Sequence, residues 1–341
     1  MNYLLAFLTP LALSLALTPV AIFIAPKIGA VDIPKDGRRM HDKPMPRFGG
    51  FSIFIGTMAA AAFFLLPGNP RMAGVLVGGA LMYILGLVDD LRGMPAKVKF
   101  LGQIAVACVA FAFGIRINFM TSFFYFAFEH GYTFFSGTSA LILTVLWIVG
   151  ISNTINLIDG LDGLAAGVAS IASLSIAYAS YVSTGPSIAT LSMLCLAGGA
   201  LGFLPFNFHP AKIFMGDGGA LFLGFMLAAL AIEGATKSAA IVATIAPVLV
   251  LGLPIFDTAF AILRRLINRR PIMEADKGHL HHRIMAAGYG QKRAVLLLYG
   301  ISGVMGVAAV LLTRDLFVES FALIAIAAVL IYVLLTKTNR E

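Results

Sequence analysis

The sequence predicts an all-α polytopic membrane protein with about eleven transmembrane helices that form a single domain, residues 1–341. The chain is 60% hydrophobic and 12% charged, and its mean hydropathy is +0.94. Its apolar residues gather in runs of about 20, the length that an α-helix needs to cross a bilayer. A soluble core could not cover this much apolar surface. The longest predicted inner connection, 264–293, is too short for an independent soluble domain.

The apolar runs place the predicted spans at 3–25, 48–66, 72–88, 99–116, 138–155, 161–183, 187–206, 218–233, 239–263, 294–313 and 316–336. Only short breaks separate consecutive spans at 183–187 and at 313–316. The aromatic-rich outer segment 117–137 predicts an interfacial segment with a short hairpin around Glu129–Tyr132.

The distribution of basic residues predicts the orientation. Eleven spans put the termini on opposite sides of the membrane, and cytoplasmic connections carry the excess of Lys and Arg. With the N-terminus outside, only four of the 24 Lys and Arg residues face out: Arg71, Arg116, Lys237 and Arg314. We therefore expect a multi-pass protein of the cell (inner or plasma) membrane with a cytoplasmic C-terminus. The net charge of +8 belongs to these inner connections, so membrane lipids are expected partners and nucleic acid is not.

The strongest functional signal is the stretch 153–164, NTINLIDGLDGL. Four polar residues recur there at every third position: Asn153, Asn156, Asp159 and Asp162. On an unbroken helix a step of three residues falls back by about 60°, so the first and last would face opposite sides. Gly160 and Gly163 predict instead that the helix ends and the backbone opens. Because carboxylates beside hydrocarbon are costly, we interpret the stretch as a functional pocket rather than a plain loop.

Three further aspartates lie at the ends of predicted spans. Asp89 and Asp90 end the third span, where the helix macrodipole and their mutual repulsion both disfavour two carboxylates. A divalent cation would relieve both penalties, with one aspartate directed to the metal and the other to substrate. Asp217 lies in the sequence MGDGG before the eighth span. Glycines there allow a metal–phosphate group to approach, and N–H groups at a helix start favour anions.

A basic loop, 274–283, reads EADKGHLHHR. It gathers His279, His281, His282 and Arg283. Zinc is a competing interpretation, but no cysteine is near, and the adjacent histidines cannot easily bind one ion. Binding of a diphosphate fits this composition better.

Two basic residues of the first inner connection, Lys43 and Arg47, precede Gly49 and Gly50. Here substrate binding and a role as topology markers are equal alternatives. All of these clusters fall on the predicted cytoplasmic side, which predicts one active site formed by cytoplasmic loops and helix ends. Carboxylates suit Mg²⁺, and basic residues offset the charge of a diphosphate. An ion-coupled transporter is the rival interpretation, but it would place such groups near the membrane centre on broken helices.

Four motifs in order, VDD after a helix, NLIDGLDGLA, NFHPAKIFMGDGG and DKGHLHHR, resemble those of the polyprenyl-phosphate N-acetylhexosamine-1-phosphate transferases. The resemblance covers nearly the whole chain. The form GHLHHR is similar to the branch that uses UDP-N-acetylglucosamine (UDP-GlcNAc), the initiating enzymes of teichoic-acid linkage and enterobacterial common antigen. The branch that transfers phospho-MurNAc-pentapeptide carries three adjacent histidines instead.

This resemblance implies ten or eleven helices, a cytoplasmic-face site, and dependence on Mg²⁺, with Mn²⁺ as an alternative ion. The implied reaction joins GlcNAc-1-phosphate from UDP-GlcNAc to undecaprenyl (polyprenyl) phosphate and releases UMP. Another UDP-N-acetylhexosamine or UDP-MurNAc-pentapeptide is the runner-up substrate. The sequence leaves open the prenyl length, the glycan pathway and whether the protein is a homodimer.

The resemblance also implies roles for individual residues. Asp89 and Asp90 correspond to the catalytic pair, and Asp217, with Asp90, to the metal ligands. Substrate-binding roles fall on Lys43, Asn156, Asp159, Asp162, Asn207, Phe214, His279, His281, His282 and Arg283, with Phe214 stacking on uracil. Family members often write the pair as DDxxD, but the fifth position here is Gly93, so a mechanism that needs a third carboxylate is not expected. Direct attack by the lipid phosphate is the preferred mechanism over an aspartyl intermediate.

Overall fold

The computed structural model describes residues 2–33, 44–65, 70–121, 132–234, 248–249, 251–267, 283–285 and 288–337. The helices within these ranges are α1 Tyr3–Ile24, α2 Gly50–Leu65, α3 Pro70–Arg92, α4 Ala96–Ala112, α5 Gly137–Ile158, α6 Leu164–Thr184, α7 Ile188–Asn207, α8 Gly216–Glu233, α9 Gly252–Ile267, α10 Gln291–Leu312 and α11 Phe317–Lys337. Two antiparallel strand pairs complete the described elements. Strand β1 Val31–Asp32 pairs with β2 Met45–Pro46, and β3 Phe119–Thr121 pairs with β4 Tyr132–Phe134.

Eight of the described helices are long and apolar enough to cross a membrane. This confirms the multi-pass membrane class. The predicted short breaks are confirmed too. Helix α6 ends at Thr184 and is followed by Gly185, and the connection after α10 contains Asp315; both of these residues have positive φ. The β3–β4 pair lies within the predicted interfacial segment 117–137. Residues 122–131 lie outside the described residues, so the short hairpin around Glu129–Tyr132 stays a prediction. Most of the first half of the predicted span 239–263 lies outside the described residues.

Helix α8 is the centre of the fold. Every residue from Gly218 to Ile232 is buried, and α3 and α5 pack along it. A helix that is apolar on all sides is typical of such a central position. Around this centre, α7 packs between α1 and α6, and α6 also contacts α10. Asp217 therefore lies at the start of the helix that is the most enclosed of the candidate spans among the described residues.

Small residues allow these helices to approach closely. Gly198 and Gly202 lie one turn apart on α7, and a Cβ added to either would lie 2.3 Å from a backbone oxygen of α1. Small residues four positions apart are the usual means of close helix contact in membranes, where apolar surface alone provides little driving force. The α1–α7 pair is therefore fixed by shape.

Candidate active site

Asp217, at the start of α8, is the centre of a polar cluster where the ends of four helices meet. Its Oδ1 accepts hydrogen bonds from Arg47 at 2.9 Å and from the Asn156 side chain of α5 at 3.0 Å. Its Oδ2 accepts a short hydrogen bond from Lys99 of α4. Asp90 of α3 contacts the backbone of the same helix start. The structure thus brings together residues that are up to 170 positions apart in the sequence.

Asp90 caps the start of α8. Its Oδ1 accepts from the backbone N–H of Asp217, and its Oδ2 from that of Gly218, each at 2.9 Å. The Nε of Arg47 lies 3.0 Å from Asp90 Oδ1, and the Asp90 side chain is only 3% exposed. The first N–H groups of a helix have no partner within the helix. A carboxylate from α3 therefore supplies what a local capping residue usually supplies.

Asp89 shapes the turn after α3 and also contacts Lys99. Its backbone oxygen accepts from Gly93 N–H at 2.8 Å, and its Oδ1 from Met94 N–H at 2.7 Å. Gly93, at the fifth position of the DDxxD pattern, has φ +70°, a conformation that glycine adopts readily. The remaining oxygen, Oδ2, lies 2.8 Å from Lys99 Nζ. The Lys99 ammonium therefore lies between Asp89 and Asp217.

Arg47 reaches the cluster from the connection between β2 and α2. Its backbone N–H donates to Ala30, and its guanidinium spans Asp90 and Asp217. Burial works against its positive charge, but the two carboxylates outweigh this and raise the pKa of Arg47. The sequence left the role of Arg47 undecided. The structure makes it part of the cluster.

The glycines around Asp217 serve the contacts between helices. Gly216 has φ +76°, and a Cβ there would lie 2.6 Å from Asp90 Oδ2. A Cβ on Gly219 would lie 2.6 Å from Gly50 Cα, and a Cβ on Gly86 would lie 2.4 Å from the Asp217 carbonyl oxygen. Three helix backbones therefore meet at this point because side chains are absent. The sequence analysis had explained the glycines next to Asp217, Gly216 and Gly219 among them, by the approach of a ligand.

The stretch 153–164 opens as the sequence predicts. Helix α5 ends at Ile158, and α6 begins after Gly163, which has φ +82°. We call residues 159–163 the site loop. Burial raises the pKa of Asp159 well above its usual range; the negative charge of Asp217 adds to the effect, and Arg47 opposes it. The site loop thus carries a carboxylate in the field of the central cluster.

The second carboxylate of the site loop, Asp162, binds the connection between α7 and α8. Its Oδ2 is 2.8 Å from His209 Nδ1 and accepts from Ala211 N–H at 3.1 Å. Asn207 is only 2% exposed. Its amide accepts from Gly163 N–H at 3.1 Å and donates to the Ile213 carbonyl at 3.0 Å. These bonds join the site loop to the segment that carries Phe214 and Asp217.

The remaining predicted site residues are distributed as follows. Phe214 is half-buried, and its backbone pairs with the segment before α2 through bonds to Pro46 and Gly49. Arg283 is half-buried. Lys43 and the three histidines of the 274–283 loop, His279, His281 and His282, lie outside the described residues.

Sequence reasoning missed the role of several polar residues. Lys99 was counted only as a topology marker, although its burial among carboxylates makes it central. Gln103, one turn further along α4, is fully buried and exchanges hydrogen bonds with Asn153 of α5. The i, i+4 spacing of Lys99 and Gln103 on an apolar helix was the available signal. His209, between two motif residues, offered none.

Comparison with known proteins gives a consistent result. Residues 72–235 match the family described as glycosyl transferase family 4. A Bacillus subtilis protein named "probable undecaprenyl-phosphate N-acetylglucosaminyl 1-phosphate transferase" is 42% identical over 90% of this chain and 84% of its own length. The decaprenyl-phosphate N-acetylglucosaminephosphotransferase of Mycobacterium tuberculosis (strain ATCC 25618 / H37Rv) is 35% identical, covering 81% and 74%. A phospho-N-acetylmuramoyl-pentapeptide-transferase of Moorella thermoacetica is 31% identical, covering 88% and 96%.

These similarities run through the helices that carry Asp89, Asp90, Asn156, Asp159 and Asp217, and they extend over most of each chain compared. The resemblance seen in the motifs is therefore confirmed at the level of the whole sequence. The chain belongs to glycosyl transferase family 4, among the polyprenyl-phosphate N-acetylhexosamine-1-phosphate transferases.

Proposed function

We propose that this protein transfers GlcNAc-1-phosphate from UDP-GlcNAc to undecaprenyl phosphate, giving undecaprenyl-diphosphate-GlcNAc and UMP. The relative that is 42% identical over 90% of the chain carries this activity in its name. The cluster around Asp217 supports the proposal, because it places carboxylates and cations together at the ends of apolar helices. A lipid phosphate and a water-soluble nucleotide meet most readily at such a boundary.

The chemistry needs little base catalysis. An oxygen of the lipid phosphate attacks the β-phosphorus of UDP-GlcNAc, and the bond from that phosphorus to the oxygen bridging to the α-phosphate breaks, so UMP leaves with that oxygen. A phosphate monoester has a second pKa of about 6, so the attacking oxygen is mostly ionised near neutral pH. Lys99 and Arg47 offset the charge on the phosphoryl groups, and Asp89 orients the lipid phosphate. Positioning and charge neutralisation then supply most of the rate.

A magnesium ion fits the charge of the cluster. Asp89, Asp90, Asp159 and Asp217 carry four negative charges when ionised, whereas Arg47 and Lys99 supply two positive charges. A divalent cation would offset this excess of negative charge, and carboxylate oxygens are the ligands that Mg²⁺ prefers. Among the described residues, no three His, Cys, Asp or Glu side chains form a metal-binding group.

Asp217 is the proposed principal ligand, with Asp89 beside it. Their side chains are 19% and 13% exposed, against 3% for Asp90. Because both oxygens of Asp90 accept backbone N–H groups, we assign Asp90 to the positioning of Asp217 before coordination. The bound ion would neutralise charge on the diphosphate.

Purified protein supplied with Mg²⁺, undecaprenyl phosphate and labelled UDP-sugars is expected to release UMP fastest with UDP-GlcNAc. Omitting the lipid is expected to abolish UMP release. Release of UMP without lipid, with label retained on the protein, would contradict direct attack by the lipid phosphate and would indicate an aspartyl intermediate instead. A faster reaction with UDP-MurNAc-pentapeptide would change the assigned sugar, and no transfer from any UDP-sugar would contradict the proposed function.

We further propose eleven crossings with an external N-terminus and an active site on the cytoplasmic face, because the basic residues are so unequally distributed. Single cysteines at Lys97 and Pro186, with Cys108 and Cys195 replaced by alanine, test this orientation. Both positions are exposed and belong to opposite sides of the predicted topology. In intact cells an impermeant thiol reagent is expected to label position 186 and not position 97. Labelling of position 97 alone would reverse the orientation.

A further inference from the structure

Helix α10 contacts the site loop through the side chain of Tyr299. Tyr299 of α10 donates a hydrogen bond to the backbone carbonyl of Gly163, the last residue of the site loop. Tyr299 is half-buried and belongs to none of the motifs that resemble the family. Helix α10 therefore has a direct polar connection to the loop that carries Asp159 and Asp162.

The contact depends on a space on α6. A Cβ added to Gly167 would lie 2.0 Å from both the Cζ and the hydroxyl oxygen of Tyr299. Real Cβ atoms are never that close to another atom, so the phenol ring reaches Gly163 only because Gly167 has no side chain. The shape of α6 and the hydroxyl group of Tyr299 thus serve the same contact.

Both backbone polar groups of Gly163 are engaged by other elements. Its N–H donates to Asn207 Oδ1 at the end of α7 at 3.1 Å. Its carbonyl accepts from Tyr299 and also from the Gly167 N–H in the first turn of α6, at 2.9 Å. Gly163 has φ +82°, a conformation that glycine adopts without penalty but does not enforce. The first turn of α6 thus holds Gly163 from within the chain, and the bonds from α7 and α10 hold it from two other helices, so together they set the position of the site loop.

We propose that Tyr299 is a positioning residue for the nucleotide half of the active site. It holds the site loop in the conformation that receives the uridine nucleotide, so that binding does not have to order the loop. This inference rests on the proposed function, which assigns Asp159 and Asp162 to the nucleotide. Loss of such preorganisation weakens binding, because the ligand must then supply the ordering free energy.

The variant Tyr299→Phe removes only the hydroxyl group and keeps the ring against Gly167. UMP affinity, measured by titration, is expected to fall about fivefold, the scale of one net hydrogen bond. The KM for UDP-GlcNAc is expected to rise by a similar factor, while the KM for undecaprenyl phosphate stays within about twofold. Amide hydrogen exchange is expected to accelerate in residues 159–167.

The matched control is Tyr178→Phe. The Tyr178 hydroxyl accepts a hydrogen bond from Arg314 at 3.1 Å, so it also joins α6 to the α10 region, but near the other end of these helices. Its loss is expected to leave exchange in residues 159–167 and UMP affinity unchanged. The two variants are expected to have equal melting temperatures. A loss of UMP affinity in Tyr299→Phe could then not be attributed to lower overall stability.

Unchanged exchange in residues 159–167 of Tyr299→Phe would overturn the inference. Faster exchange with unchanged UMP affinity would overturn it as well, since the loop would then not matter for the nucleotide. An equal rise in KM for both substrates would indicate that Tyr299 contributes only to general stability, which would also overturn the inference that it positions the site loop. Failure of the wild-type protein to transfer GlcNAc-1-phosphate would contradict the proposed function instead, because exchange and UMP titration are scored without turnover.

Discussion

Replacing Asp217 by asparagine is expected to lower turnover by at least about 10²-fold, the scale of losing one preorganised electrostatic stabiliser. Asparagine preserves the size of the side chain but removes the negative charge between Arg47, Lys99 and Asn156. The proposed magnesium ligand is lost with it. The measurement is initial-rate UMP release at saturating UDP-GlcNAc and undecaprenyl phosphate across a series of Mg²⁺ concentrations.

A second readout makes the metal assignment testable apart from activity. Mn²⁺ binding, followed by electron paramagnetic resonance, is expected to be strong in the wild-type protein and at least tenfold weaker in Asp217→Asn, which is about 1.4 kcal/mol or more. Asp315→Asn is the control, because Asp315 is exposed and its φ of +58° is tolerated equally by Asp and Asn. Near wild-type turnover of Asp217→Asn at limiting Mg²⁺ would remove Asp217 from the metal site.

Replacing Lys99 by methionine is expected to have an effect of similar size, about 10²-fold or more on turnover. The ammonium lies between Asp89 and Asp217 and also contacts Asn156 at 3.3 Å. Without the ammonium, Asp89 and Asp217 lose their common counter-charge. Repulsion between the two carboxylates then disfavours the side-chain geometry to which the substrate binds. Methionine keeps most of the length of the side chain, so packing along α4 is retained.

Lys97→Met provides the control for this variant. Lys97 lies two residues earlier on the same helix and is exposed, so its loss removes one positive charge without touching the cluster. Its turnover is expected to stay within about twofold of wild type, as for most surface substitutions. Lys99→Arg restores the charge with a different geometry and is expected to recover only part of the activity. Equal turnover of Lys99→Met and Lys97→Met would exclude Lys99 from the reaction.

Local features of the sequence predicted most of the fold. Span positions follow from runs of apolar residues, and the helix boundaries agree with them within a few residues for most spans. The break between α5 and α6 follows from Gly160 and Gly163, since glycine readily adopts the left-handed backbone conformation that Gly163 has at this break. The β1–β2 pair was not predicted, because two short strands carry no periodic signal. It matters because it places Arg47 at the site.

The residue types of the active site could also be predicted, because carboxylates are costly beside hydrocarbon wherever the chain folds. Motif resemblance added the reaction. The sequence therefore determined the membrane class and the family, and it singled out the aspartates to which we assign the chemistry. Each of these conclusions depends on composition or on short sequence segments, and these can be interpreted without knowledge of the tertiary contacts.

Only the tertiary structure decided which groups are partners. Asp90 caps α8 from a helix that precedes it by more than a hundred residues. Arg47 spans Asp90 and Asp217, and Lys99 lies between Asp217 and Asp89. Asn207 and Tyr299 hold the two polar groups of Gly163 from different helices. Such pairings depend on how helices approach one another, and that approach depends on glycines such as Gly50, Gly86 and Gly167 whose contacts lie far away in the chain. Hydropathy and spacing describe one segment at a time, whereas these bonds exist only where several segments meet.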